Sequence, residues 1–94
     1  MLPEPLRPPV VKKRVLQIIS EGFVTYSQPH AEEQMKKRRI STVDCINVLR
    51  GGAVSEGELE NGSWRYQNHT PKMCVVIRFE SETILEVVTA WREK

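Results

Sequence analysis

Two apolar stretches near the end of the chain, residues 73–79 and 84–91, constrain the fold more than any other feature. Their nearly unbroken apolar character places both at the centre of a sheet, beneath covering helices. A polar Ser81-Glu82 separates them. That link is far shorter than the dozen or so residues a parallel crossover needs, so the two strands run antiparallel. Two more strands are predicted upstream, over 53–58 and 63–68, with Asn61-Gly62 and His69-Thr70-Pro71 as turns between neighbours. The second half therefore reads as an antiparallel meander.

The first half has helical periodicity. Val10, Val11, Val15, Leu16, Ile18 and Ile19 fall mostly on one side of a helix, with Lys12, Lys13, Arg14 and Gln17 opposite and Gly22 as the stop. A brief strand at residues 23–26 precedes the turn Ser27-Gln28-Pro29 and a second helix from His30 to about Arg39. That helix buries little beyond Ala31 and Met35, and the cations of Lys36-Lys37-Arg38-Arg39 suit the negative end of its dipole. Ser41-Thr42-Val43-Asp44 caps a third helix, closed by Gly51-Gly52. The expected class is α+β, with N-terminal helices packed on one face of a twisted antiparallel sheet.

A chain of 94 residues holds one hydrophobic core. Residues 10–94 form that single domain, and the proline-rich residues 1–9 read as a flexible arm. No apolar run approaches the roughly 20 residues that span a bilayer, and the N-terminus lacks the order of a secretion signal, so a cytoplasmic location is expected. Cys45 and Cys74 stand in apolar contexts without CxxC spacing and read as buried thiols. No metal-ligand spacing, paired carboxylate or glycine-rich phosphate loop is present, and no cofactor is expected. The net charge of +2 is uneven: residues 1–50 hold nine Lys/Arg against five Asp/Glu, and residues 51–94 hold five against seven. A polyanion or an acidic protein suits the helical side.

His30, Gln34 and Arg38 follow one another at four-residue steps along nearly the same helix face. An imidazole that exchanges a proton near neutral pH, with a guanidinium that grips phosphate, suits a phosphodiester. The same His30 also fits a capping or packing role at the strand-to-helix corner. Of the basic run, Arg38 and Arg39 are the stronger contacts for nucleic-acid phosphates, although such runs are equally often solvated surface. In the strand Trp64-Arg65-Tyr66, period-two geometry sets Trp64 and Tyr66 on one face and Arg65 on the other. Trp64 and Trp91 read as core aromatics, while Tyr66 and Arg78 are open to either reading.

Ser27-Gln28-Pro29-His30-Ala31, Met35 with Arg38, Ile40-Ser41 with Asp44, Trp64-Arg65-Tyr66 and Thr89-Ala90-Trp91-Arg92 together resemble a family of small bacterial and phage proteins of unknown function. Its pattern runs Ser-x-His-Ala, Arg-Met, Arg, Ile-Ser, and that family in turn resembles the RelE/ParE toxin superfamily, with an MqsR-like layout. The resemblance covers about residues 10–93. It implies a toxin-like, metal-independent endoribonuclease of a toxin–antitoxin system, whose partners are RNA, free or on the ribosome, and an acidic antitoxin. By matching position, His30 is the acid or base and Arg38 the phosphate clamp. Tyr66 joins them as a catalytic candidate from the sheet, and Lys37, Arg39, Arg65, Arg78 and Arg92 as phosphate contacts. The chain departs from the pattern at Gln34, where Arg is usual, and at Arg39, where Gly is frequent. A non-catalytic module that binds protein or nucleic acid with the same fold is the alternative.

Overall fold

A computed structural model of the chain describes residues 3–93. The first helix, α1 (Pro8–Glu21), begins earlier than its apolar pattern, because Pro8 and Pro9 occupy a first turn where the missing N–H groups have no intrahelical partner to lose. Val11, Val15 and Ile18, spaced by four and three residues, turn one stripe into the core. The expected arm over 1–9 starts in residues outside those described. By Leu6 the chain is packed: its side chain is buried and its N–H donates to Tyr66 Oη at 3.1 Å.

After β1 (Phe23–Tyr26) come α2 (His30–Arg38) and α3 (Thr42–Gly51). Both hydrogen bonds of a capping box start α3, Ser41 Oγ accepting from the Asp44 N–H at 3.1 Å and Asp44 Oδ2 from the Ser41 N–H at 2.9 Å. These bonds hold the Asp44 carboxyl below its ordinary pKa. The other end of α3 is capped from α1: Lys12 Nζ donates to the carbonyls of Leu49, Arg50 and Gly52 at 3.0, 2.9 and 2.7 Å. A cation suits these orphan acceptors and the negative end of the helix. Lys12→Met, which keeps the apolar stem, is expected to lower stability by about 1–2 kcal/mol in urea denaturation.

The sheet contains β2 (Ala53–Val54), β3 (Glu58–Glu60), β4 (Ser63–His69), β5 (Met73–Phe79) and β6 (Ile84–Arg92), in the order β1-β6-β5-β4-β2, with β3 pairing β4 off that path. The meander from β4 to β6 is antiparallel as expected, but the sheet as a whole is mixed. Phe23–Tyr26 pairs in parallel with β6, from Phe23 opposite Ile84 to Tyr26 opposite Val87. Short links dictate antiparallel pairing only between strands adjacent in sequence, and two helices and four strands separate β1 from β6. The single strand predicted over 53–58 is divided into β2 and β3. Between them Gly57 lies so close to the Tyr66 ring that a Cβ there would stand 2.7 Å from Cε1.

The core is built between the sheet and the helices, from Val11, Val15, Ile18, Val48 and Leu49 above and Tyr66, Val75, Ile77, Leu85 and Val87 below. α2 is placed differently from the helix-covered face predicted for it. It packs along β6, with Ala31 and Met35 buried, where β1 no longer covers that strand. Arg38 Nη1 donates to the Ala90 carbonyl at 2.7 Å and so satisfies a backbone group of β6 beyond β1.

A bulge in β6 sets the faces of its second half. Val76 pairs with Thr89 and Ile77 with Val87, which leaves Val88 without an opposite residue. Alternation restarts there, so Ala90 is buried in the core and Trp91 falls on the opposite, open face. Among the described residues, no helix is long and apolar enough to cross a membrane.

Candidate functional site

The open face of the sheet carries rows of side chains set by strand register. Gln67, Val76 and Thr89 form one row, and His69, Cys74 and Trp91 the next. Arg65, one step beyond the Tyr66–Ile77 pair, is paired instead with Glu58 of β3. Two walls rise over these rows. On the β6 side α2 contributes His30 and Gln34, and on the β4 side β3 contributes Glu58 and Glu60. The enclosed cleft has a volume of about 300 Å³, and its floor includes Arg65, Gln67, Val76, Val88, Thr89 and Trp91.

Local structure explains the walls. The Asn61-Gly62 turn, with φ of 52° and 78°, folds β3 back on β4 so that Glu58 faces Arg65 and Glu60 faces Ser63. Arg39 closes α2 in the left-handed region at φ 56°, and Arg92 Nη2 donates to its carbonyl at 2.9 Å. The α2 side of the cleft is thus fixed at both Arg38 and Arg39 to the end of β6.

The cleft brings together His30, which is exposed at the start of α2, and Arg65. Among the described residues Arg65 forms one ion pair, Nη1 to Glu60 Oε2 at 3.6 Å, and its buried Nε–H has no hydrogen-bond partner. The orphaned Nε–H is a cost to the fold, while the exposed part of the Arg65 side chain lines the cleft and offers a charged donor to an oxyanion. The other proposed contacts lie elsewhere. Arg78 is held by Glu86 at 2.8 Å and Glu80 at 3.3 Å. Lys37 and Arg39 are exposed, and Arg92 adds a 3.6 Å contact with Asp44 to its bond with Arg39, so these three mark the outer corner of α2 and α3. Arg38 is exposed, and its Nη1 donates both to the Ala90 carbonyl and, at 3.2 Å, to Gln34 Oε1, which ties α2 to β6.

Tyr66 is not in the cleft. It has no exposed surface, lies on the helix-covered face, accepts a hydrogen bond from the Leu6 N–H and donates to Glu4 Oε2 at 2.7 Å. Burial, with Glu4 adding to it, pushes its hydroxyl up to about 12. The alternation that set Arg65 apart from Tyr66 already separated the two faces; which face was inside required the helices.

Trp91, Glu58 and Glu60 are the site residues that sequence reasoning missed. The bulge at Val88 reversed the phase of Trp91, and the acidic residues gained a setting only when β3 folded over Arg65. Among the described residues no cluster of His, Cys, Asp and Glu is arranged to hold a metal ion. Both thiols are buried, as read from the sequence, and burial pushes each up to about 11, with the Asp44 charge adding at Cys45 and that of Glu93 at Cys74. Labelling by a disulfide reagent at pH 8 should be at least about a hundredfold slower in the native protein than in urea; equal rates would show that the core opens readily.

No curated protein and no solved structure matches the chain. A family model described as Domain of unknown function (DUF4258) matches residues 27–94. That stretch contains α2, β3 and every strand that builds the cleft, and the chain belongs to this family.

Proposed function

We propose that the chain is a toxin-like, metal-independent endoribonuclease with a RelE/ParE-like architecture, and that it cleaves single-stranded RNA in the cleft between α2 and β3. The observation that carries this reading is the convergence of a proton-exchanging imidazole, a carboxylate, an incompletely paired guanidinium and an indole on one open sheet face. Arg65 holds the phosphate, and Trp91 offers a flat surface on which a base stacks. Glu58 is the base: it takes the proton of the ribose 2′-hydroxyl, and the 2′-oxygen attacks phosphorus. The P–O5′ bond breaks as His30 gives a proton to the departing oxygen. The products are a 2′,3′-cyclic phosphate and a 5′-hydroxyl, with no metal in the scheme. The corner formed by Lys36, Lys37, Arg39 and Arg92 would receive an acidic antitoxin segment.

A binding module without catalysis is favoured by one observation, the Glu60 carboxylate that already sits on Arg65. The test is incubation of the purified protein with mixed-sequence RNA in EDTA, alone and with ribosomes, and mapping of new ends. Cuts that end in cyclic phosphate support the nuclease. Retention of RNA without cutting supports the binding module, and neither result in any condition rejects both.

A further inference from the structure

Gln34 is the cleft residue whose orientation is most fully fixed. Its Oε1 accepts from Thr89 Oγ1 at 2.7 Å and from Arg38 Nη1 at 3.2 Å. A guanidinium only donates, so the amide oxygen, not the nitrogen, must face Arg38. Arg38 is itself held by the Ala90 carbonyl at 2.7 Å. Thr89 reaches Gln34 because the bulge at Val88 places it on the open face. The Gln34 amide nitrogen therefore carries its two hydrogens on the side away from these partners, and no described residue accepts from it. On the same cleft, the Trp91 indole is half-buried and steadied by its own Nε1–H bond to Glu93 Oε1 at 3.0 Å.

We propose that Gln34 determines base specificity: its fixed amide –NH₂ donates to the ring carbonyl of a nucleobase stacked on Trp91, which favours 4-oxo and 6-oxo bases over their amino counterparts. This rests on the nucleic-acid reading of the cleft. An amide donor can serve a phosphate or a base edge, and with Arg65 lining the same cleft to take the phosphate charge, the base edge is assigned to Gln34. An exocyclic amino group opposite the amide would set donor against donor with no acceptor to relieve either. Turning the amide over to accept instead would set its –NH₂ against the Arg38 guanidinium, donor against donor. Thr89 and Arg38 are positioning residues in this arrangement.

The test is anisotropy binding of labelled 2′-deoxy oligonucleotides, which report affinity without cleavage. Uracil is compared with cytosine, and hypoxanthine with adenine. The wild type should bind the oxo member of at least one pair more tightly, by roughly tenfold. Gln34→Glu keeps an acceptor for Thr89 and Arg38 but turns the outer atom from donor to acceptor, so the preference should reverse. Thr89→Val should erase the preference while most of the affinity remains, and Thr89→Ser should restore it. Wild-type binding with no preference, or the same preference in Gln34→Glu, would overturn the assignment and leave the nucleic-acid reading standing. Absence of any oligonucleotide binding by the wild type is a different outcome: it removes that reading, and this one with it.

Discussion

If the chain cleaves RNA as proposed, His30→Ala is expected to lower the rate by roughly 10²–10⁴-fold while the protein melts as the wild type does. The size follows from the loss of a positioned proton donor for the leaving 5′-oxygen. The unchanged melting follows from exposure: His30 stands at the first position of α2, and no described hydrogen bond or ion pair uses its ring. Glu58→Gln should produce a loss of similar order, because an amide of the same shape cannot accept the 2′-hydroxyl proton. The double variant should be little worse than either single one, as expected for groups that act in one step. Single-turnover cleavage of one RNA, with thermal melts of each variant, measures all of this. Full activity in His30→Ala at wild-type stability would end the role given to the imidazole.

The largest loss of stability is expected at Tyr66. Tyr66→Ala should cost roughly 3–5 kcal/mol, since it removes a fully buried ring that packs against Phe79 with centroids 5.6 Å apart. Tyr66→Phe keeps the ring and removes the bond to Glu4 and the acceptor for the Leu6 N–H. It should cost about 1–2 kcal/mol and leave RNA cleavage untouched. A large drop in turnover for Tyr66→Phe at wild-type stability would return the hydroxyl to the catalytic list. The titration gives a second handle. The folded-state pKa, about 12, lies above the ordinary value of 10.0. The contribution is therefore complete below pH 10 and disappears as pH rises through about 12. Urea midpoints should fall across that window in the wild type and fall less in Tyr66→Phe.

The sequence by itself determined the features that depend on a few neighbouring residues. Ser41 and Asp44 announce the start of α3 because a capping box is a local set of donors and acceptors. Asn61-Gly62 announces its turn because both residues tolerate positive φ, and 73–79 with 84–91 announce a central antiparallel pair because their link is too short for anything else. The separation of Arg65 from Tyr66 is equally local, since side chains alternate along any strand. Tertiary structure decided what depends on distant partners. β1 runs parallel to β6 because it returns to the sheet from the far end of the chain, where no short link sets direction. One unpaired residue, Val88, turned Trp91 outward and Thr89 toward Gln34, and a bulge that arises from pairing leaves no pattern in sequence. His30 and Arg65 lie 35 positions apart and share a cleft only because α2 takes the edge of β6 while β3 folds over β4. Helix periodicity placed His30, Gln34 and Arg38 in one row; packing against Ala90 divided that row into an exposed imidazole, an oriented amide and an anchoring guanidinium.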